Sequence, residues 1–239
     1  MTETFQLSRR ALTAFWFAAT CCVILSVTDC VRGQGRHLDL KDGRGVTVFF
    51  ILGFLDEYTG RHVVEGDDLV EGFYCNETEK VTVFLRQLER LAQEQGLKAD
   101  IRQETIQGCL TRVRSAVLSE ALNAMYRKRE EPPIAQSWMA DADGRHHRLG
   151  TLWIDDQVFR GVERDLKFAY VAGAYDRYGV ADSMRFANSQ HKVALLEALL
   201  SELGASNIRT EATQGFMPQT NTIYFQPSAE LRTWLGRAW

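Results

Sequence analysis

Two apolar runs organise this chain. Val46-Thr-Val-Phe-Phe-Ile-Leu52 leads into Gly53, and Leu166-Lys-Phe-Ala-Tyr-Val-Ala172 leads into Gly173. Both runs predict helices. A glycine inside a helix costs roughly 1 kcal/mol against alanine. Its presence at the same place in both runs, with Ala172 and Ala174 beside the second, predicts two backbones in close approach. Further along, Val81, Phe84, Leu85, Leu88 and Leu91 recur at helical spacing, as do Val193, Leu196, Leu200 and Leu203. These predict amphipathic helices, each closed by a glycine, Gly96 and Gly204, in a left-handed cap. Alternating segments follow each helix, residues 99–105 and 109–115 in one case, 207–213 and 222–226 in the other. They predict strand pairs. Before the first amphipathic helix, residues 61–65 and 69–74 predict a hairpin around Gly66-Asp-Asp. Residues 180–187 predict a shorter one before the second. Helices are expected at 117–128 and 229–235.

The elements repeat because the sequence does. Ile51-Leu-Gly-Phe-Leu-Asp-Glu-Tyr58 returns as Val171-Ala-Gly-Ala-Tyr-Asp-Arg-Tyr178, pairing Gly53 with Gly173, Asp56 with Asp176 and Tyr58 with Tyr178. Asn76-Glu-Thr-Glu-Lys80-Val81 is answered by Asn188-Ser-Gln-His-Lys192-Val193. Self-similarity of this kind defines the architecture before any single motif does. Each unit reads α-β-β-α-β-β-α, so the fold class is α+β, with one repeat over 45–131 and another over 164–239. Pro132-Pro133 ends the first, and 132–163 is a linker insertion.

Composition narrows the function. The chain has 239 residues, 45% of them apolar, enough for a substantial core. Its net charge is −3. A protein that grips bare phosphate usually carries a basic surplus, so any nucleic-acid face must be local. Five cysteines, Cys21, Cys22, Cys30, Cys75 and Cys109, form no Cys-x-x-Cys pair and read as reduced, small apolar residues.

Residues 1–30 stand apart as a leader or an extra apolar helix. Arg9-Arg10 precedes an apolar run over 11–28. Four readings stay open: a secretory or twin-arginine signal, an organellar transit peptide, a membrane anchor of barely sufficient length, or a helix packed on the core.

An apolar helix running into x-x-Gly-x-x-Asp-x-x-Gly, repeated in a tandem α-β-β-α-β-β-α frame, resembles the single-chain LAGLIDADG homing endonucleases. Residues 171–179 lie directly on that motif; residues 51–59 match it, with Gly60 displaced by one. The resemblance implies motif helices packed at a pseudo-twofold joint, with Gly53, Gly173 and Ala172 in it, and two sheets forming a saddle over nucleic acid. It also implies an acidic residue at the eighth motif position of each repeat, holding divalent metal. Here that position is Tyr58 and Tyr178. A phenol with an ordinary pKa near 10 is a poor substitute for a carboxylate. The nearest acids are Asp56, Glu57 and Asp176. No catalytic residue is therefore assigned, and magnesium is expected only if the chain is an active endonuclease.

Strand alternation puts Lys98, Asp100, Arg102, Glu104, Arg112 and Arg114 on one face of the first repeat, suited to phosphate or guanine. In the second repeat it puts Arg209 and Tyr224 among polar neighbours, the tyrosine suited to stacking on unpaired bases. Three other features have plainer readings. Ala140-Asp-Ala-Asp-Gly144 reads as an acidic turn or a displaced motif, His146-His147 as a solvated loop, and Asn76 as a helix cap in a glycosylation sequon. The leading expectation is a non-cleaving nucleic-acid binder, a monomer with internal pseudo-dimer symmetry. Its partner would be RNA or DNA, within an intron-folding or ribonucleoprotein role in a mitochondrion or plastid. The alternatives are an active magnesium-dependent DNA endonuclease and a structural or partner-binding protein. For localisation the alternative is export or membrane anchoring through residues 9–30.

Overall fold

The computed structural model describes residues 38–239 except 42, 59, 65, 107, 129–137, 141–145, 214 and 216–218. The apolar run over 11–28, Cys21, Cys22 and Cys30, the proline pair and the acidic turn at 141–144 lie outside the described residues. The fold mixes helices with antiparallel sheets.

At its centre are α1 (Gly45–Phe54) and α4 (Arg164–Tyr178), the two helices of the apolar runs. From Thr47 to Phe54 every residue of α1 is buried, as is every residue of α4 from Phe168 to Ala174. Helices apolar all round belong inside a core. The two pack against each other through their glycines. A methyl group on Gly53 would strike the Tyr170 carbonyl oxygen, and one on Gly173 would strike the Phe50 carbonyl oxygen. Phe50 and Tyr170 stand at matching places, one turn before the glycines, so the contact is reciprocal.

The amphipathic helices α2 (Thr78–Glu94) and α5 (Gln190–Glu202) cover this pair. Val81, Phe84, Leu88 and Leu91 of α2, with Val193, Leu196, Leu199 and Leu200 of α5, are buried. Both helices end in paired backbone bonds around a left-handed glycine: Leu97 N to Ala92 O and Gly96 N to Gln93 O, then Ala205 N to Leu200 O and Gly204 N to Ser201 O. The starts differ from the cap expected of Asn76. Glu77 is the first flanking residue of α2 and Ser189 that of α5.

In the first repeat, β2 (Leu69–Phe73), β4 (Leu110–Arg114) and β3 (Arg102–Ile106) form a three-stranded antiparallel sheet in that order. In the second, β8 (Gly179–Val180), β9 (Ser183–Ala187), β11 (Thr220–Gln226) and β10 (Ser206–Ala212) make a four-stranded one. The hairpin expected between 61–65 and 69–74 does not form. β1 (Arg61–Val64) pairs instead with β7 (His146–Ile154), out of the linker insertion. The free edge of β2 is held by side chains: Arg61 donates to Val70 O at 2.7 Å, and Arg177 to Gly72 O at 3.0 Å.

The same insertion shortens the next helix. α3 covers Ala116–Asn123, capped by Ser115, and β5 (Tyr126–Lys128) pairs with β7 where helix was expected to continue. β6 (Trp138–Ala140) pairs with β7 as well, and His146-His147 is therefore strand backbone and not loop. α6 (Ala229–Leu235) closes the chain, and Trp239 returns to stack on Phe50, ring centroids 4.2 Å apart. A second departure concerns the cysteines. Cys75 and Cys109 are joined as a disulfide, their Cα atoms 4.7 Å apart, because the end of β2 and the β3–β4 turn lie side by side.

Candidate functional site: the helix joint and the two sheet faces

The joint is lined by the residues that follow α1 and those of the last turn of α4, and their bonds run from one repeat to the other. Tyr58, partly exposed, accepts on its hydroxyl from the Asn188 amide at 2.7 Å. The Tyr178 hydroxyl, half-buried, donates to Asp56 at 3.2 Å. Lys192 donates to the Leu55 carbonyl at the end of α1, and Lys80 to the Asp176 carbonyl near the end of α4. These lysines occupy matching places in the repeated segment, each reaching across to the other repeat's helix. Cations suit that end of a helix.

Charge is buried here in compensated form. Glu57 lies 3.7 Å from the Lys192 ammonium and accepts from the Tyr126 hydroxyl at 3.2 Å. Arg177 bonds Glu77 at 2.9 Å, approaches Glu71 at 3.3 Å and donates to the Phe54 carbonyl at 3.2 Å. Its guanidinium sits over the Phe73 ring, 4.7 Å from the centroid. Burial pushes the Glu57 and Glu71 carboxyls above their usual range, against the pull of Lys192 and Arg177 respectively. Burial lowers the Lys192 pKa, with Glu57 opposing. At Arg177 burial works against the charge, but Tyr178, Glu71 and Glu77 outweigh it and raise the pKa. Asp176 is raised by burial, offset by Lys80. Among the described residues, no group of three or more His, Cys, Asp or Glu is arranged to hold a metal ion.

The outward sheet faces carry the other candidate residues. Ladder partners Arg102 and Arg114, and Glu104 and Arg112, stand opposite each other on β3 and β4. Arg114 bonds Asp67 at 2.6 Å, Asp68 at 2.8 Å and Glu104 at 3.0 Å. Those bonds raise its pKa over the opposing effect of burial, and the bond to Arg114 lowers that of Asp68. Arg102 pairs with Asp68 and lies 3.5 Å from Asp100. Lys98 is exposed in the segment before β3. Arg112 has no carboxylate partner among the described residues. In the second repeat, Arg209 is paired with Glu211, and its guanidinium lies over the Tyr224 ring, 4.1 Å from the centroid.

Sequence reasoning missed Arg185, exposed on β9 opposite Thr222 and without a carboxylate partner among the described residues. Its place between buried Met184 and Phe186 was the available signal. It also missed Arg61, Glu71 and Arg177, whose burial depends on contacts far along the chain. Lys80 and Lys192 did carry a signal, their shared position in the repeat.

The chain is similar in overall arrangement to solved structures of I-DmoI. The complex of I-DmoI with DNA and Mn matches over 82% of this chain and 100% of that one, at 14% identity and a TM-score of 0.48. The complex with DNA and Ca matches over 80% and 87%, at 14% identity and 0.47. Mesophilic variants from the homing endonuclease I-DmoI match over 81% and 88%, at 13% identity and 0.47. No family model matches the chain, and no curated protein sequence does.

Proposed function

We propose that this chain binds nucleic acid across its two sheet faces without cutting it, on a scaffold of the LAGLIDADG homing-endonuclease type. The observation that carries this reading is the helix joint. Four of its acids face tethered cations, Glu57 facing Lys192, Asp176 facing Lys80, and Glu71 and Glu77 both facing Arg177, while Asp56 accepts from the Tyr178 hydroxyl. Magnesium takes anionic oxygens and water in a near-octahedral shell. The oxygens offered here are the hydroxyls of Tyr58 and Tyr178, the single carboxylate of Asp56, and carboxylates that face a cation. A divalent ion beside a buried ammonium and guanidinium would meet strong repulsion. These residues do not fit the metal.

The binding half of the proposal rests on the faces. Lys98, Arg112 and Arg185 have no carboxylate partner among the described residues and remain for phosphate, and Arg209 over Tyr224 forms a flat platform on which an unpaired base can stack. Self-paired Arg102 and Arg114 contribute little net charge, so duplex DNA is gripped weakly. Structured RNA with splayed bases suits this surface better. In that role the chain acts as a monomer within a ribonucleoprotein assembly, imported into a mitochondrion or plastid; a mature N-terminus near residue 30 is the expected mark of import.

The test is direct. Fluorescence anisotropy at low salt with a structured RNA, an unstructured RNA and duplex DNA is expected to show binding tightest for the structured RNA. Incubation with supercoiled plasmid and magnesium is expected to leave it intact. Nicking lost in Glu57→Gln or Asp176→Asn would overturn the non-cutting reading. Absence of binding to all three probes would favour a scaffold that serves a protein partner.

A further inference from the structure

The disulfide between Cys75 and Cys109 has no part in the joint or in the contacts argued above. We propose that these two cysteines form a reversible redox site that sets the order of the β3–β4 hairpin. Resting on the nucleic-acid reading, that site also sets the affinity of the first repeat's face.

Four observations converge. Both cysteines are exposed, so a thiol reductant reaches the bond from solvent. The bond ties the turn after β2 to the turn between β3 and β4, across a sequence separation of 34. β3 has almost no other anchor in the core. Arg102, Gln103, Glu104 and Thr105 are all exposed and Ile106 only half-buried. The strand is held by its ladder to β4, by arginine pairs and by this clasp. Segments with so little buried apolar surface open locally at low cost. Finally, Cys75 sits in the same turn as Glu77, whose carboxylate accepts from Tyr74 N at 2.8 Å and bonds Arg177 at 2.9 Å. The clasp therefore joins the hairpin tip to the turn that neutralises Arg177. The second repeat contains no cysteine, so the control acts on one face alone.

The chemistry is thiol–disulfide exchange. One thiolate of an external dithiol attacks a cysteine Sγ, the Sγ–Sγ bond breaks and a mixed disulfide forms. The second thiol of the reductant then closes onto it. Two electrons pass to the protein, the reductant leaves as a cyclic disulfide, and Cys75 and Cys109 each end as a thiol. Oxidised glutathione reverses the exchange, with two molecules of glutathione released.

The experiment uses the full chain, with dithiothreitol and oxidised glutathione setting the redox state. Thiols are mapped by maleimide labelling and peptide mass spectrometry, hydrogen exchange is read over 102–114, and affinity for the structured RNA is measured by anisotropy. Oxidised protein is expected to leave Cys75 and Cys109 unlabelled. Reduction is expected to label both, raise exchange across β3 at least tenfold and weaken RNA binding several-fold. The pair Cys75→Ser with Cys109→Ser is expected to match the reduced protein whatever the reductant. Labelling of both thiols under oxidising conditions, or exchange over 102–114 that ignores redox state, overturns the redox site. If no RNA binds in either state, the nucleic-acid reading falls, and hydrogen exchange still decides the redox site.

Discussion

The Lys192 ammonium lies 3.7 Å from the Glu57 carboxylate, and neither side chain reaches solvent. The pair joins the two repeats at the end of α1, where Lys192 also bonds the Leu55 carbonyl. Breaking a buried pair from one side costs about 3–5 kcal/mol, because the remaining charge has no partner. Lys192→Met should destabilise the chain by that amount in urea unfolding. Adding Glu57→Gln should recover part of the loss. A single variant as stable as the parent would show that the pair does not hold the joint.

Gly53→Ala and Gly173→Ala meet backbone, not the end of a flexible side chain. The added methyl on Gly53 would stand 2.8 Å from the Tyr170 carbonyl carbon, and that on Gly173 2.8 Å from the Phe50 one. Overpacking a core commonly costs about 1–3 kcal/mol, more when nothing can yield. Each variant should lose about 3 kcal/mol or fail to fold, as read by circular dichroism on heating. Gly72→Ala, with open space around it, supplies the control and should change little.

Protonation gives a third prediction. Burial raises the carboxyl pKa of Glu57 and Glu71 above the ordinary 4.5, and that of Asp176 above 3.8. The folded chain then keeps protons that the unfolded chain has released. Their stabilising contribution is complete below the ordinary values and is lost as pH rises through the folded ones. Asp68 is held low by Arg114 and works in the opposite sense, its contribution fading only as pH falls below 3.8. Urea titrations at low salt should show a decline as pH rises from about 4.5 through the folded values of these carboxyls, Lys192 acting in the opposite sense only at alkaline pH, and Glu57→Gln should flatten the decline. An unchanged slope in that variant would remove Glu57 as a source.

Arg112 and Arg185 are strand cations without acidic partners among the described residues of the two faces. Replacing both by alanine should weaken RNA binding and reduce the salt slope by about 0.7 per lost contact, the value for single strands. Stability should stay within about 0.5 kcal/mol, as for surface changes generally. Arg114→Ala should behave differently, losing stability as well, since Asp67 and Glu104 would lose their cation and Asp68 would keep only Arg102.

Much of the fold was legible because it rests on spacing. The glycines in the apolar runs announced a close helix contact, and the leucine periodicities with Gly96 and Gly204 announced α2 and α5 with their ends. Strand alternation put Arg102 and Arg114 on one outward face and Arg209 and Tyr224 on the other; the ladders alone set each pair opposite one another. What misled was adjacency. Residues 61–65 and 69–74 looked like a hairpin because a turn sequence lies between them, yet β1 takes a partner in the linker. Asn76 looked like a cap because asparagine suits one, while the helix begins after Glu77.

Local pattern alone therefore carries the repeated segments, the glycine contact and the placing of Tyr58 and Tyr178 after them, since each is read over a few neighbouring residues. Contact between distant residues alone settles the rest: that Arg177 neutralises Glu71 and Glu77, that Lys192 meets Glu57, that β7 captures β1 and β5, and that Cys75 finds Cys109. No spacing encodes these pairings. A charge can be buried, or a strand edge satisfied, only by whichever group the completed fold brings within a few ångströms, and that group sits far along the chain.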